Sequence, residues 1–360
     1  MKSIAVFNNK GGVGKTTIST TIGYELARQG KKVLLMDLDP QSNSTQVVLS
    51  EEQVERLYDK PIKSIDRIKS IKDVYAPMLD SNEATIGEVN DVILKAKFHK
   101  FGFDIIPSSL MLSEFEDTLS DAWSDLRANK LGGLRRTNWF IQLTEQIKGK
   151  YDYLILDLSP SLGALNRSVL LNVDTFLIPV TGDIYNVYGV KNIATWIKGW
   201  LKIYQRAMNY LEEDYSSDVL DTAKINRKVT EENFNKFIGY IISKARTRGK
   251  HRNRHIIEYQ DRNLKRIEEV INESLLFTTS EALKNKLKLG TVLEIKSFLT
   301  EAEGAHIPAY KQVATEVDYS QEGNSQNHND DGVWSAKFGM MKSFTEIVTN
   351  VTKNIEELYE

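Results

Sequence analysis

Short runs that are apolar at nearly every position alternate along the chain with stretches whose apolar residues recur every three or four positions. The runs are Ile4-Ala5-Val6-Phe7, Val33-Leu34-Leu35-Met36, Phe103-Asp104-Ile105-Ile106-Pro107, Tyr153-Leu154-Ile155-Leu156-Asp157, Thr175 to Val180 and Phe237 to Ile242. Strands of this kind, without polar alternation, are buried on both faces, as in a parallel sheet covered by helices. Between them, Ile18, Ile22, Leu26 and Ala27 mark a helix over 17–29 that closes at Gly30, where a helix C-terminus accepts positive φ. Helical patterns are also read over 86–96 and 110–126. The alternation predicts an α/β fold, a doubly wound and mostly parallel sheet flanked by helices. Segments of about 51–75 and 207–235 fit the rhythm poorly and are expected to be surface insertions. The stretch of about 316–331 is nearly devoid of apolar residues and reads as a flexible loop, and Phe344, Ile347, Val348, Val351, Ile355 and Leu358 mark a last helix over about 334–359.

Composition narrows the chemistry. With 360 residues, 41% of them hydrophobic and 27% charged, the chain can bury a substantial core. Its 47 basic and 49 acidic side chains exclude a uniformly basic nucleic-acid coat and leave room only for a local patch. The absence of cysteine removes disulfides, thiolate zinc sites, a cysteine nucleophile and thiolate-held iron–sulfur clusters. No uninterrupted apolar stretch has the length of a membrane span, and Met1-Lys2-Ser3 runs straight into the first strand without a signal-peptide pattern, so a cytoplasmic location is expected.

Asn9-Lys10-Gly11-Gly12-Val13-Gly14-Lys15-Thr16-Thr17 joins the first strand to the first helix. A glycine-rich turn there lets backbone N–H groups converge at a helix N-terminus, where the macrodipole adds roughly half a positive charge. A polyphosphate fits such a place. Lys15 would face the β- and γ-phosphates, and the Thr16 hydroxyl would sit on Mg2+. Residue 9, where the general pattern has a glycine, is Asn, and Lys10 follows. A second ammonium beside Lys15 is tolerated if it points elsewhere, most usefully toward the phosphates of a facing subunit.

In this segment the chain resembles the deviant Walker A P-loop family, and within it the ParA-type partition ATPases. The resemblance rests on the loop together with Asp37-Leu38-Asp39-Pro40-Gln41-Ser42-Asn43, Phe103 to Ser109, and Asp152 to Asp157 leading into Pro160-Ser161-Leu162-Gly163. It is strong over 1–45 and 100–200 and weak beyond 200. It implies a single ATPase domain over 1–360, ATP and Mg2+ as cofactors, and an ATP-sandwich homodimer in which Lys10 crosses the interface. Residues 10–17, including Val13 and Thr17, would bind the nucleotide. Lys10, Lys15 and Asp39 would be catalytic, Asp39 by orienting the attacking water, while Thr16 and Asp157 would serve the metal. The segment 295–302 only loosely matches the family's adenine site, and no base-contacting residue is named.

Lys244, Arg246, Arg248, Lys250, Arg252 and Arg254 fall within eleven positions, and no acidic residue occurs from Ser243 to Ile256. Such a cluster suits sequence-independent, salt-sensitive DNA binding. With the resemblance, it implies slow ATP hydrolysis stimulated by a ParB-like activator, non-specific double-stranded DNA as partner, a nucleoid-associated location, and plasmid or chromosome partition. The alternative is a nucleotide-switched adaptor that positions protein cargo or serves a regulatory or defence complex. The last helix ends in Glu356, Glu357 and Glu360, a poor match to an anionic leaflet, so no membrane partner is expected.

Overall fold

Burial decides which apolar runs become strands, and here they stack into one sheet. A computed structural model describes residues 1–58, 67–80, 84–248, 255–294, 301–308 and 331–359. The strands are β1 (Lys2–Val6), β2 (Val33–Leu38), β3 (Asp104–Ile106), β4 (Tyr153–Leu158), β5 (Thr175–Val180), β6 (Phe237–Ala245), the short β7 (Thr247–Arg248) and β8 (His255–Ile256), and β9 (Lys288–Leu293). Seven of them form a sheet in the order β3-β2-β4-β1-β5-β6-β9, and every neighbouring pair is parallel. β7 and β8 make a separate antiparallel ribbon. β1, flanked by β4 and β5, is solvent-free from Ile4 to Val6. Because consecutive strands leave β1 in opposite directions, the loops after β1, β2 and β4 meet at their C-terminal ends, the usual ligand crevice of open α/β sheets.

Several expectations need correction. The segment 86–96 is not a helix. Gly87, Asn90 and Asp91 interrupt it, leaving short 3₁₀ turns at Val89–Val92 and Ala96–Phe98. Between those turns Leu94 exchanges two backbone hydrogen bonds with Ile105 of β3, at 2.8 and 2.9 Å. The segments expected at the surface send their apolar sides inward. Ile71, Val74 and Tyr75 are buried on the helix Ile71–Asp80, with Tyr75 stacked on Phe115 at a 4.1 Å centroid distance. The 31-residue helix Ile184–Asp214 runs into the second segment and buries Ala207, Met208 and Leu211, and Leu220, Val229 and Phe234 join the core beyond it. β9 is a strand that patterning missed, because Lys288-Leu289-Gly290-Thr291-Val292-Leu293 mixes polar and apolar positions at an edge of the sheet.

The last helix, Asp331–Tyr359, buries Ile347, Val348, Val351 and Ile355. Its Asn350 side chain donates to the Leu289 carbonyl of β9 at 2.9 Å, and Asn354 donates to the carbonyls of Ile238 and Lys286 at 2.8 and 3.0 Å. Core packing, not a membrane face, accounts for its apolar stripe. No helix among the described residues is long and apolar enough to cross a membrane. Lys250, Arg252 and Arg254, most of the loop of about 316–331, and 295–300 lie outside the described residues.

Candidate functional site

The loop from Asn8 to Gly14 turns because two of its residues take a conformation that favours glycine: φ is +73° at Gly12 and +84° at Gly14. The helix Lys15–Arg28 starts immediately afterwards, and Gly14 stands at its N-cap with no side chain to occupy the first N–H groups. Those donors face a cleft of about 410 Å³ lined by the glycines of the loop with Lys15, Thr16, Thr17 and Asp39. Lys15 is 7% exposed, and its ammonium lies 3.3 Å from the backbone oxygens of Asn8 and Lys10. Burial pulls the Lys15 pKa down, opposed by Asp157 and Asp39. A buried cation that donates to two backbone carbonyls and faces an open cleft is suited to receive an anion. Apart from their chain neighbours, no heavy atom of the described residues lies within 4 Å of where a Cβ would stand on Gly11 or Gly12, so the space over both glycines is open. The residues present therefore fit a polyphosphate.

Two carboxylates enter from neighbouring strands. Asp157 of β4 pairs in register with Asp37 of β2. Asp157 accepts hydrogen bonds from Thr16 Oγ1 at 2.9 Å, Ser44 Oγ at 2.7 Å and Ser19 Oγ at 3.1 Å. Asp37 is held by Thr45, through N at 2.8 Å and Oγ1 at 2.7 Å, and by the Asp39 N–H at 3.1 Å. Burial raises both carboxyls above the usual carboxylate range, and the Asp157 charge adds to the rise at Asp37. Side by side in a buried site, these two groups repel unless a cation or a proton joins them. Asp39 lines the cleft, and its Oδ1 accepts from the Gln41 N–H at 3.0 Å.

Lys10 does not line the cleft. Its ammonium lies 2.6 Å from Asp183 Oδ2 and 3.4 Å from Thr181 Oγ1, beside an open groove flanked by Tyr185 and Tyr188. Burial raises the Asp183 carboxyl, but hydrogen bonds from Lys10 and Thr181 outweigh it, and the net shift is downward. Val13 is buried, and its carbonyl accepts from Ser243 Oγ, so only its backbone can reach a ligand.

A family model described as "AAA domain" matches residues 1–211. The sporulation initiation inhibitor protein Soj of Bacillus subtilis is 34% identical over 200 residues, 55% of this chain and 65% of Soj. The virulence plasmid ParA family protein pGP5-D of Chlamydia psittaci is 30% identical over 247 residues, 64% of this chain and 82% of that protein. The chain belongs to the ParA-type P-loop ATPases. The protein DIP2308 of Corynebacterium diphtheriae superposes with a TM-score of 0.69, at 26% identity, over 99% of both chains. Against Soj, the match thus spans less than two thirds of the relative's length.

As a ParA-type chain it departs from its sequence reading in where the basic cluster goes. Lys244, at φ +54°, donates from Nζ to the Gly12 carbonyl at 2.6 Å and lines the cleft. Arg246 pairs with Glu294 at the end of β9, and Arg248 lies exposed on β7. Three residues central to the site were not singled out from sequence: Ser44, Thr181 and Asp183. Ser44 follows the Asp39-Pro40 turn closely enough to have been suspected. Asp183 looks like a helix N-cap and is one, since its Oδ1 accepts from the Tyr185 and Asn186 N–H groups. Its second oxygen carries no separate sequence signal.

Proposed function

We propose that this protein is a Mg-ATP-dependent ATPase that pairs on nucleotide, binds double-stranded DNA without sequence preference in that state, and acts in plasmid or chromosome partition. The observation that carries the proposal is that Lys15, Thr16 and Asp39 line one cleft, with Asp157 buried behind the Thr16 hydroxyl, while Lys10 stands outside it. Lys15 would neutralise the β- and γ-phosphates; Thr16, with Asp157 behind it, would hold Mg2+; and Asp39 would orient water. The ion would supply charge neutralisation along the phosphates. Lys10 would complete the pocket of a second copy, in place of the arginine that activators bring to other P-loop enzymes. A ParB-like partner is the proposed stimulator, and the nucleoid the proposed location.

DNA binding is supported by Arg248 and by the sequence of the segment that continues from it. If ATP favours pairing and pairing doubles the basic surface, ATP and DNA must reinforce each other. The test is co-sedimentation with DNA in ATP, in ADP and without nucleotide, next to the mass in solution with a non-hydrolysable analogue. Binding only with ATP and a doubled mass support the proposal, and equal DNA binding in all three states refutes it.

The adaptor reading is favoured by a specific observation: Lys244 is turned to the phosphate loop and Arg246 to Glu294, which leaves less charge for DNA. It predicts ATP-dependent pairing with no DNA retention at 0.1 M salt.

A further inference from the structure

The long helix Ile184–Asp214 carries its charges in two blocks. From Ile184 to Leu211 it has Lys191, Lys198, Lys202 and Arg206 and no acidic side chain; Glu212, Glu213 and Asp214 then close it. Acidic groups at a helix C-terminus stand at the negative end of the macrodipole, so this order weakens the helix unless cations come from outside it. Glu212 has such a cation in Arg227, at 3.1 Å. Among the described residues Glu213 and Asp214 have no ion pair, and neither do Lys202 and Arg206. Lys202, Arg206, Asn209 and Glu213 recur at spacings of four, three and four, which lines them up along one side of the helix, and all four are exposed. Tyr210 stands beside them, 48% exposed. No opposite charge lies three or four positions along the helix from Lys202, Arg206 or Glu213, so the helix cannot neutralise this seam by itself.

We infer that this seam is a docking surface for a second copy of the chain, with the two helices antiparallel. Turning one copy end for end and setting Lys202 against Glu213 brings Arg206 opposite Asn209 in the same register, and the two-fold axis repeats both contacts. Each Lys202 then meets a carboxylate, each Glu213 a cation, and Tyr210 lies next to the second copy's Arg206, where a guanidinium can sit on its ring. The mixed charge of the seam selects this occupant. A nucleic acid or an acidic protein is attracted by Lys202 and Arg206 but repelled by Glu213 and Asp214; a basic partner meets the converse. A face with both signs in this order complements itself. The family match ends at residue 211, so the acidic half of the seam lies beyond it. The middle of the seam is roughly 35 Å along the helix from its start. It therefore shares no residue with Lys10 or the phosphate loop, and a pair formed at the loop end can join another pair through it. The contact is exposed and ionic, hence weak and sensitive to salt.

The seam is tested on the full chain without nucleotide, which separates it from pairing at the phosphate loop. Sedimentation equilibrium over a concentration series, at about 0.05 M and about 0.5 M salt, is expected to show self-association of the wild type at the lower salt and its loss at the higher. K202E and E213K each set like charges opposite one another twice per pair, and each is expected to weaken association about tenfold. The double variant K202E/E213K exchanges the two charges and is expected to recover the association of the wild type. In a mixture of copies carrying two isotopic labels, a zero-length carbodiimide is expected to join Lys202 of one label to Glu213 of the other, read by mass spectrometry. A wild type that stays single at the lower salt overturns the inference. So does a double variant no better than the single ones, the pattern expected when a nucleic acid or another protein occupies the face.

Discussion

The phosphate cradle can be tested by filling it one methyl at a time. Gly11 and Gly12 both line the cleft, and a Cβ on either meets no heavy atom within 4 Å. They differ in backbone: Gly12 sits at φ +73°, whereas Gly11 is not among the residues with positive φ. Gly11→Ala should therefore leave the free protein within about 1 kcal/mol of the wild type, because the unfolded chain loses freedom and the folded one gains no clash. Gly12→Ala should cost about 1–2 kcal/mol for the left-handed conformation, a shift of only a few degrees in Tm for a domain of this size. Nucleotide binding should separate them from the wild type much further. A ligand at a hundred times its Kd stabilises the fold by about 2.7 kcal/mol. Thermal unfolding with and without a saturating Mg–ATP analogue should show that increment in the wild type and little of it in either variant. A Gly11→Ala protein with unchanged Tm and a full nucleotide-induced shift would show that the triphosphate does not lie against this loop.

Asp157→Ala leaves the Thr16 and Ser44 hydroxyls without their acceptor, while Ser19 keeps the Lys15 carbonyl, but it also removes a like charge beside Asp37. The free protein should change by no more than about 1–3 kcal/mol, while the Mg2+-dependent part of nucleotide affinity, read by titration with and without chelator, disappears. Lys244→Met should weaken binding of a fluorescent ATP analogue several-fold and leave nucleotide-free DNA affinity unaltered, since its ammonium is on the Gly12 carbonyl; the reverse pattern would assign it to DNA. Arg248→Ala should lower the slope of log DNA affinity against log salt by about one, and Arg246→Ala by less, because Glu294 holds its guanidinium. Lys236 is half-buried, desolvation pulls its pKa down to about 8, and its ammonium donates to the Leu171 carbonyl at 2.9 Å and to the Val173 carbonyl. The folded state thus binds its proton less tightly than the unfolded one, so its contribution to stability rises as pH climbs from about 8 toward 10.5; Lys236→Met, melted across that range, should lack this rise.

What sequence revealed and what it hid follow from how local each signal is. The strands and the phosphate loop were legible because continuous apolar runs and a glycine cluster before a helical stripe depend on neighbours in the chain. β9 escaped because an edge strand is specified by what packs on it, here the last helix, 61 residues away at the Asn350–Leu289 contact. Lys15 and Thr16 could be named from the loop motif, and Asp157 from the family resemblance. The position of Lys244 could not: its segment reads as one basic cluster, and only the left-handed turn at the end of β6 swings this lysine toward Gly12. Trp196 and Trp200 look equivalent in the pattern, yet Trp200 is buried and Trp196 is 42% exposed. Four residues advance a helix by slightly more than a turn, enough to bring a side chain to the rim of the packed stripe.

Both outer strands of the sheet have part of their hydrogen-bonding rim taken up by the chain itself. On one side Leu94 occupies the amide and carbonyl of Ile105; on the other, Asn350 claims the carbonyl of Leu289. A molecule so trimmed offers a poor template for ribbon growth by strand addition, which is how parallel sheets tend to coalesce into insoluble material. On the proposed reading, further copies would then be recruited at the loop-bearing end instead, where association would answer to a small molecule and could be undone.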